Sequence, residues 1–117
     1  GDDGLRQKLG FFPDVVTGGY AFIRDLSSEF SMAIIRIVPV YPKGEYVLEN
    51  ADPTDAVRGD AIQIYDDQGD LGGFAEMEEL SPVKTLRRGE EITFPVTVYA
   101  LTGPRQLVRD VVLRILK

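Results

Sequence analysis

The sequence predicts an all-β fold, a β-sandwich of about seven short strands in a single domain. The length of 117 residues suits one domain that buries its own core. Several segments alternate apolar and polar residues, which is the period of a half-buried strand, and turn residues separate them. We expect residues 1–10, which are polar and bounded by Gly, to form a flexible N-terminal arm. Residues 11–117 would form the sandwich domain.

The clearest predicted strand lies at residues 91–100. Its apolar residues all fall on one parity: Ile92, Phe94, Val96, Val98 and Ala100. Pro95 cannot donate a ladder hydrogen bond, which indicates a sheet edge or a bulge at that point. Residues 106–116 are rich in β-branched residues, and no helix-capping residue precedes them, so we predict another strand there. The turn at 102–104 would join the two strands into a hairpin.

A second hairpin is predicted around an acidic turn. Residues 61–66 alternate, residues 67–70 have turn composition, and residues 74–80 would be the return strand, although Ala, Glu, Met and Leu also favour a helix there. The remaining strands are predicted at 19–24, 31–41 and 45–49, with a loop at 50–60. Both parities are apolar in residues 31–38, which is typical of a central strand covered on both faces or of a buried helix. Pro39 and Pro42 favour the strand.

Residues 80–100, from Leu-Ser-Pro to Val-Tyr-Ala, resemble the second half of many bacterial immunoglobulin-like domains. In those domains a leucine, a turn with Gly-Glu and an alternating strand follow one another, as they do here. The resemblance implies an immunoglobulin-like arrangement of the sandwich, which the strand count also favours. It carries no functional residue over to this chain.

The composition excludes most of the usual catalytic groups. The chain has no Cys, no His and no Trp, so Cys nucleophiles, His bases and thiolate or imidazole metal ligands are absent. A formal net charge of −6 argues against nucleic acid as a partner, because phosphate binding needs a clustered basic surface. No apolar run approaches the roughly 20 residues of a membrane-spanning helix. We therefore predict that the chain is not an enzyme and that it needs no cofactor.

Charge is distributed unevenly along the chain. Residues 45–79 hold eleven acids and one base, a net charge of −10, whereas residues 80–117 carry seven bases and three acids, a net charge of +4. Because Ca²⁺ prefers carboxylate and carbonyl oxygens in loops, Asp66, Asp67 and Asp70 are candidate calcium ligands. Their spacing is not that of an EF-hand, since the required Gly and Glu are missing from their positions. The alternative is that these acids are solvated turn residues.

We expect a non-catalytic structural or protein-interaction module of an exported bacterial protein. It would bind a protein partner or a second copy through a sheet face, an edge strand near Pro95 or the acidic loops. One alternative is a carbohydrate-binding or calcium-dependent adhesion module that uses the acidic 50–70 loops, and a small hydrolase is another. The chain begins at Gly1, as expected where an export signal has been removed or where a domain is part of a longer chain. The first interpretation predicts an extracytoplasmic location, in the periplasm, at the cell surface or in the medium.

Overall fold

A computed structural model describes residues 7–46, 59–68 and 72–117. These residues are mostly β and form two antiparallel three-stranded sheets and one C-terminal helix. In chain order the elements are β1 Gln7–Phe11, β2 Gly19–Asp25, β3 Phe30–Ile37, β4 Ile62–Asp66, β5 Ala75–Glu79, β6 Thr97–Pro104 and α1 Arg105–Ile115. The chain divides into two compact units. The first unit comprises residues 1–17 and 40–92, and the second comprises residues 18–39 and 93–117.

The sheet of the first unit has the order β1-β4-β5, with β4 in the centre. The predicted hairpin of 61–80 is confirmed, because β4 and β5 pair antiparallel with Ile64 opposite Met77. Ala61, Ile62 and Gln63 are all buried at the start of β4, so both faces of the strand are covered there, although the alternation predicts only one buried face. Residues 7–10, expected in the flexible arm, form β1 together with Phe11 and pair with β4. Residues 1–6 lie outside the described residues.

The sheet of the second unit has the order β2-β3-β6, and α1 packs over one of its faces. Ala33 and Ile35 of β3 are fully buried against Val108 and Val112 of α1. The opposite parity of β3 is also apolar, with Met32 and Ile34 half-buried on the face away from the helix. This agrees with a central strand, since β3 pairs with β2 on one side and with β6 on the other.

The predicted strand at 106–116 is wrong, because residues 105–115 form α1. Val108, Val112 and Ile115 lie on one side of the helix at helical spacing. The two-residue period of a strand does not reveal this pattern. The side chain of Gln106 also donates a hydrogen bond to Asp110 one turn further on, at 2.9 Å. β-Branched residues lower helix propensity by only a few tenths of a kcal/mol each, and burial of one apolar side exceeds that cost.

The other boundaries shift by several residues. The predicted strand at 91–100 becomes β6, which begins only at Thr97, and residues 91–96 are irregular. The predicted turn at 102–104 is absent, because β6 continues through Pro104 and α1 begins at the next residue. β3 ends at Ile37, before Pro39, rather than at Tyr41. The described residues of the predicted strand 45–49 and loop 50–60 are not in a strand, and residues 47–58 lie outside the described residues.

A cluster of polar contacts joins the start of α1 to the turn between β2 and β3. Asp25 accepts a hydrogen bond from the Ser31 hydroxyl at 2.7 Å and forms an ion pair with Arg105 at 3.0 Å. The backbone N–H of Arg105 donates to the carbonyl of Glu29 at 3.0 Å, which satisfies one of the N–H groups left without a partner at the helix start. The Ser31 hydrogen bond, together with Arg105 and Arg109, lowers the pKa of Asp25.

Replacing Ile35 by Ala tests the core of the second unit. Ile35 is fully buried under α1, so we expect Ile35→Ala to lower the free energy of unfolding by about 2–5 kcal/mol. The matched control is Ile23→Ala, since Ile23 lies in β2 and is 38% exposed. Urea denaturation of the two variants measures both effects. Equal losses would contradict the placement of Ile35 in the core.

The polar cluster predicts a pH dependence of stability. The pKa of Asp25 is lowered in the folded chain from its ordinary value of 3.8. The ionised carboxylate therefore makes its full contribution to the free energy of unfolding above that pH. The contribution is lost as the pH falls from there through the lowered pKa. We expect the difference in unfolding free energy between the wild type and Asp25→Asn to shrink on acidification, as measured by urea denaturation at a series of pH values. A difference that stays constant down to about pH 2 would rule this out.

Candidate functional site

Two of the three predicted calcium ligands are described at the acidic turn that follows β4: Asp66 is the last residue of β4, and Asp67 is the next residue. Asp67 is fully buried, and its two carboxylate oxygens accept hydrogen bonds from the backbone N–H groups of Gly73 and Phe74, at 3.1 and 3.0 Å. The carboxylate of Asp66 accepts hydrogen bonds from the backbone and the side chain of Gln68, at 2.9 and 3.0 Å. Both carboxylates therefore hold the backbone of the turn, but Asp67 is buried there and is not the solvated residue that the turn alternative expects.

The calcium site stays a prediction. Asp70, its third candidate ligand, lies outside the described residues, as does most of the 50–70 segment. Among the described residues, no group of three or more acidic side chains is placed to hold a metal ion. Gln68 adopts a left-handed backbone conformation with φ of 53°, which its hydrogen bonds to Asp66 stabilise. This geometry belongs to the turn itself and does not by itself indicate a ligand.

Two surfaces of the first unit bear on the carbohydrate alternative. Tyr65 packs against Phe74 across the hairpin, with ring centroids 5.8 Å apart, and is half-buried. Tyr41 is exposed beside a shallow groove of about 490 Å³, whose other walls are Pro42, Lys43, Gly44 and Pro82. Tyr41 is therefore the most exposed of the described tyrosines of this unit. No acidic loop accompanies it in the described part of the groove, so sugar binding stays a prediction.

The second unit carries an apolar groove between β6 and α1, which we call the β6–α1 groove. Its volume is about 400 Å³. Residues Tyr99–Gly103 of β6 form one wall, and the helix contributes Leu107, Val108, Val111 and Ile115. Side chains of consecutive strand residues point to opposite faces, so a wall of five consecutive residues is the edge of the strand rather than one face. The groove therefore runs along the side of β6 that does not face β3.

This edge of β6 is open in the described part of the chain. Of the described strands, only β3 pairs with β6. Exposed apolar side chains border the open edge, with Tyr99 43% and Leu107 56% exposed. The edge thus combines unpaired backbone groups with uncovered apolar side chains, which is the arrangement that accepts an added strand.

Residues 97–103 of β6 lack the charges and prolines that usually protect an edge strand. Residues 97–103 contain no charged side chain, and Pro104 stands only at the end of the strand. The sequences of the other edge strands in the described sheets do include charges: β1 has Lys8, β2 has Arg24 and Asp25, and β5 has three glutamates. Natural proteins place such charges on edges to prevent pairing with other chains. β6 is therefore the edge strand, among those described, that is suited to association.

The sequence located this site only in part. The alternation of residues 91–100 predicts the strand that becomes β6, and Pro95 predicts a sheet edge or a bulge just before it. The alternation does not reveal the helical wall of the groove, because the β-branched residues of 106–116 favour a strand. The spacing of Leu107 and Val111, four residues apart beside the buried Val108 and Val112, is the signal that could have found it.

Comparisons with known proteins identify a family but no function. Residues 1–117 match the model of a protein family that is described as a family of unknown function. No curated protein and no solved structure matches this chain. Within the described ranges, no helix has the length and the apolar character needed to cross a membrane.

Replacing Asp67 separates a structural turn from a calcium site. Asp67→Ala removes two hydrogen bonds to the backbone, so we expect a loss of about 1–3 kcal/mol in unfolding free energy. The loss should be the same in millimolar calcium and in EDTA, and Asp66→Ala, in the more exposed part of the turn, should cost less. Thermal melts of the three proteins in both buffers measure this. A wild-type melting temperature that rises in calcium, with no rise in Asp66→Ala, would establish the calcium site instead.

Proposed function

The chain belongs to DUF6786, a family of unknown function, and from this premise we propose that it is a non-catalytic protein-interaction module that binds through the open edge of β6. An immunoglobulin-like arrangement of the sheets and an extracytoplasmic location remain part of the proposal on the strength of the sequence alone. The observation that carries the proposed interaction is that the edge strand β6, uncharged over residues 97–103, lies beside the β6–α1 groove.

The edge and the groove offer two complementary kinds of contact. Backbone N–H and C=O groups on the open side of β6 can form a ladder with an extended segment of another protein. Side chains of that segment on the helix side would enter the groove and cover Tyr99, Leu107 and Val111. The ladder supplies affinity that depends little on sequence, and the groove selects segments with apolar residues at every second position.

The chemistry of the groove supports binding rather than catalysis. None of its lining residues carries a carboxylate, an amine or a guanidinium group, and Tyr99 and Thr102 hold its only hydroxyls. A general acid–base mechanism needs a titratable group within hydrogen-bond reach of the substrate, and among these lining residues only the Tyr99 hydroxyl is such a group. The charged residues of α1 lie elsewhere on the helix, where Arg105 pairs with Asp25.

Site-specific photo-crosslinking tests the proposal. A photoreactive benzoylphenylalanine at position 107 would lie in the groove, and the same residue at position 113 is the matched control. Leu113 is also a leucine of α1, is 67% exposed and does not line the groove. In the cells that produce the protein, we expect crosslinked protein products from position 107 and far fewer from position 113. Equal yields from the two positions, or no product from position 107, would contradict the proposal.

A further inference from the structure

We infer that the partner at this edge is a second copy of the chain, and that β6 pairs antiparallel with β6 of the other copy to form one six-stranded sheet. The inference rests on the proposed function and names the partner. A symmetric pair of this kind is closed, because each copy offers the same edge to the other and no open edge of β6 remains.

Charge favours this pairing over pairing with the other described edges. A copy of β5 would bring Glu76, Glu78 and Glu79 to the edge, so that at least one carboxylate would face the apolar groove without a basic partner there. The strands β1 and β2 also contain charged residues, whereas a second β6 places no charged side chain between residues 97 and 103 of either copy. Among the described edges it is therefore the one that buries no charge on pairing.

The side chains of β6 complement one another across a two-fold axis. Residues 97–103 have their midpoint at Ala100, so pairing of the full uncharged run places Ala100 opposite Ala100 of the second copy. Tyr99 then lies opposite Leu101, and Thr97 lies opposite Gly103. The first of these pairs places an aromatic ring against an aliphatic side chain across the two strands, a kind of contact that stabilises a sheet.

The same symmetry brings the two grooves together. Tyr99 and Leu101 share the face of the sheet that α1 covers, because they lie opposite Ile35 and Ala33 of β3 in the register. A two-fold axis perpendicular to the sheet leaves both helices on that one face. Leu107 and Val111 of each copy would therefore flank the joined strands, and the exposed apolar side chains would be covered from both sides.

The size of the contact predicts a weak dimer. Seven strand residues span about 23 Å, and a sheet with one helix layer is about 20 Å deep, so each copy would bury about 460 Å². The total of about 900 Å² lies below that of standard stable interfaces, which indicates a concentration-dependent dimer. Each copy carries a net charge of −6, so added salt would screen the repulsion and favour the dimer. A dimer held by the basic C-terminal third against the acidic middle of another copy would instead weaken in salt.

Disulfide trapping tests the register. The chain has no cysteine, so Ala100→Cys and Val98→Cys each introduce a single thiol on the same face of the same strand. Opposed residues in antiparallel strands lie about 4.5–5.5 Å apart, within the range that a disulfide spans. The two thiols of a Val98→Cys dimer would be offset by four positions, about 13 Å, and could not be bridged. With oxidised glutathione we expect covalent dimers from Ala100→Cys and almost none from Val98→Cys.

Light scattering after size-exclusion chromatography tests the dimer without a crosslink. We expect the wild-type mass to rise from one chain towards two as concentration and salt increase. Leu107→Glu should remain monomeric, and Leu113→Glu, the matched control, should behave as the wild type. Both leucines are exposed, so circular dichroism of the two variants should show the same helix content.

The outcomes separate this inference from the proposed function. A wild type that is monomeric at all concentrations, or equal disulfide yields from the two cysteine variants, would overturn pairing of β6 with itself. If photo-crosslinks at position 107 to other proteins persist in that case, the interaction module stands and the partner is a different chain. If position 107 yields no crosslink and no dimer forms, both proposals fail.

Discussion

The packing of α1 on β3 is the contact on which the second unit depends. A three-stranded sheet by itself exposes two faces, and one of them must be covered before the unit can bury a core. Val108 and Val112 provide that cover for Ala33 and Ile35, which are fully buried. The packing also fixes the position of the helix relative to the open edge of β6, because Leu107 and Val111 lie beside the buried residues on the same helix. The groove is thus a direct result of how the core is closed.

The junction between β6 and α1 adds a second constraint. No loop separates them, so the strand and the helix meet at Pro104 and Arg105. The backbone N–H of Arg105 donates to the carbonyl of Glu29. The guanidinium of Arg105 forms an ion pair with Asp25 and donates to the carbonyl of Ser28. One arginine therefore connects the helix start to the turn between β2 and β3. These contacts fix the start of α1, the helix that forms one wall of the groove.

Sequence alone located the strands better than it located the site. The hairpin of β4 and β5 follows from alternation and turn residues, which are local signals. The central position of β3 follows from its apolar residues on both parities. The helix was missed because β-branched residues suggested a strand, and only the packing on β3 decides between the two. The composition of residues 67–70 predicts the turn after β4, but the hydrogen bonds of Asp66 and Asp67 to its backbone depend on side-chain geometry that spacing does not encode.

The discontinuity of the second unit has a consequence for the order in which the chain folds. Its first part ends at residue 39 and its second part begins at residue 93. Joining β3 to β6 closes a loop of about 60 residues, at an entropic cost of about 3–4 kcal/mol before any contact is gained. During synthesis, β2 and β3 emerge from the ribosome long before their third strand and their covering helix. The face of β3 that α1 covers therefore has no covering helix until residues 93–117 have been made, so translation through residues 40–92 delays the closing of this core.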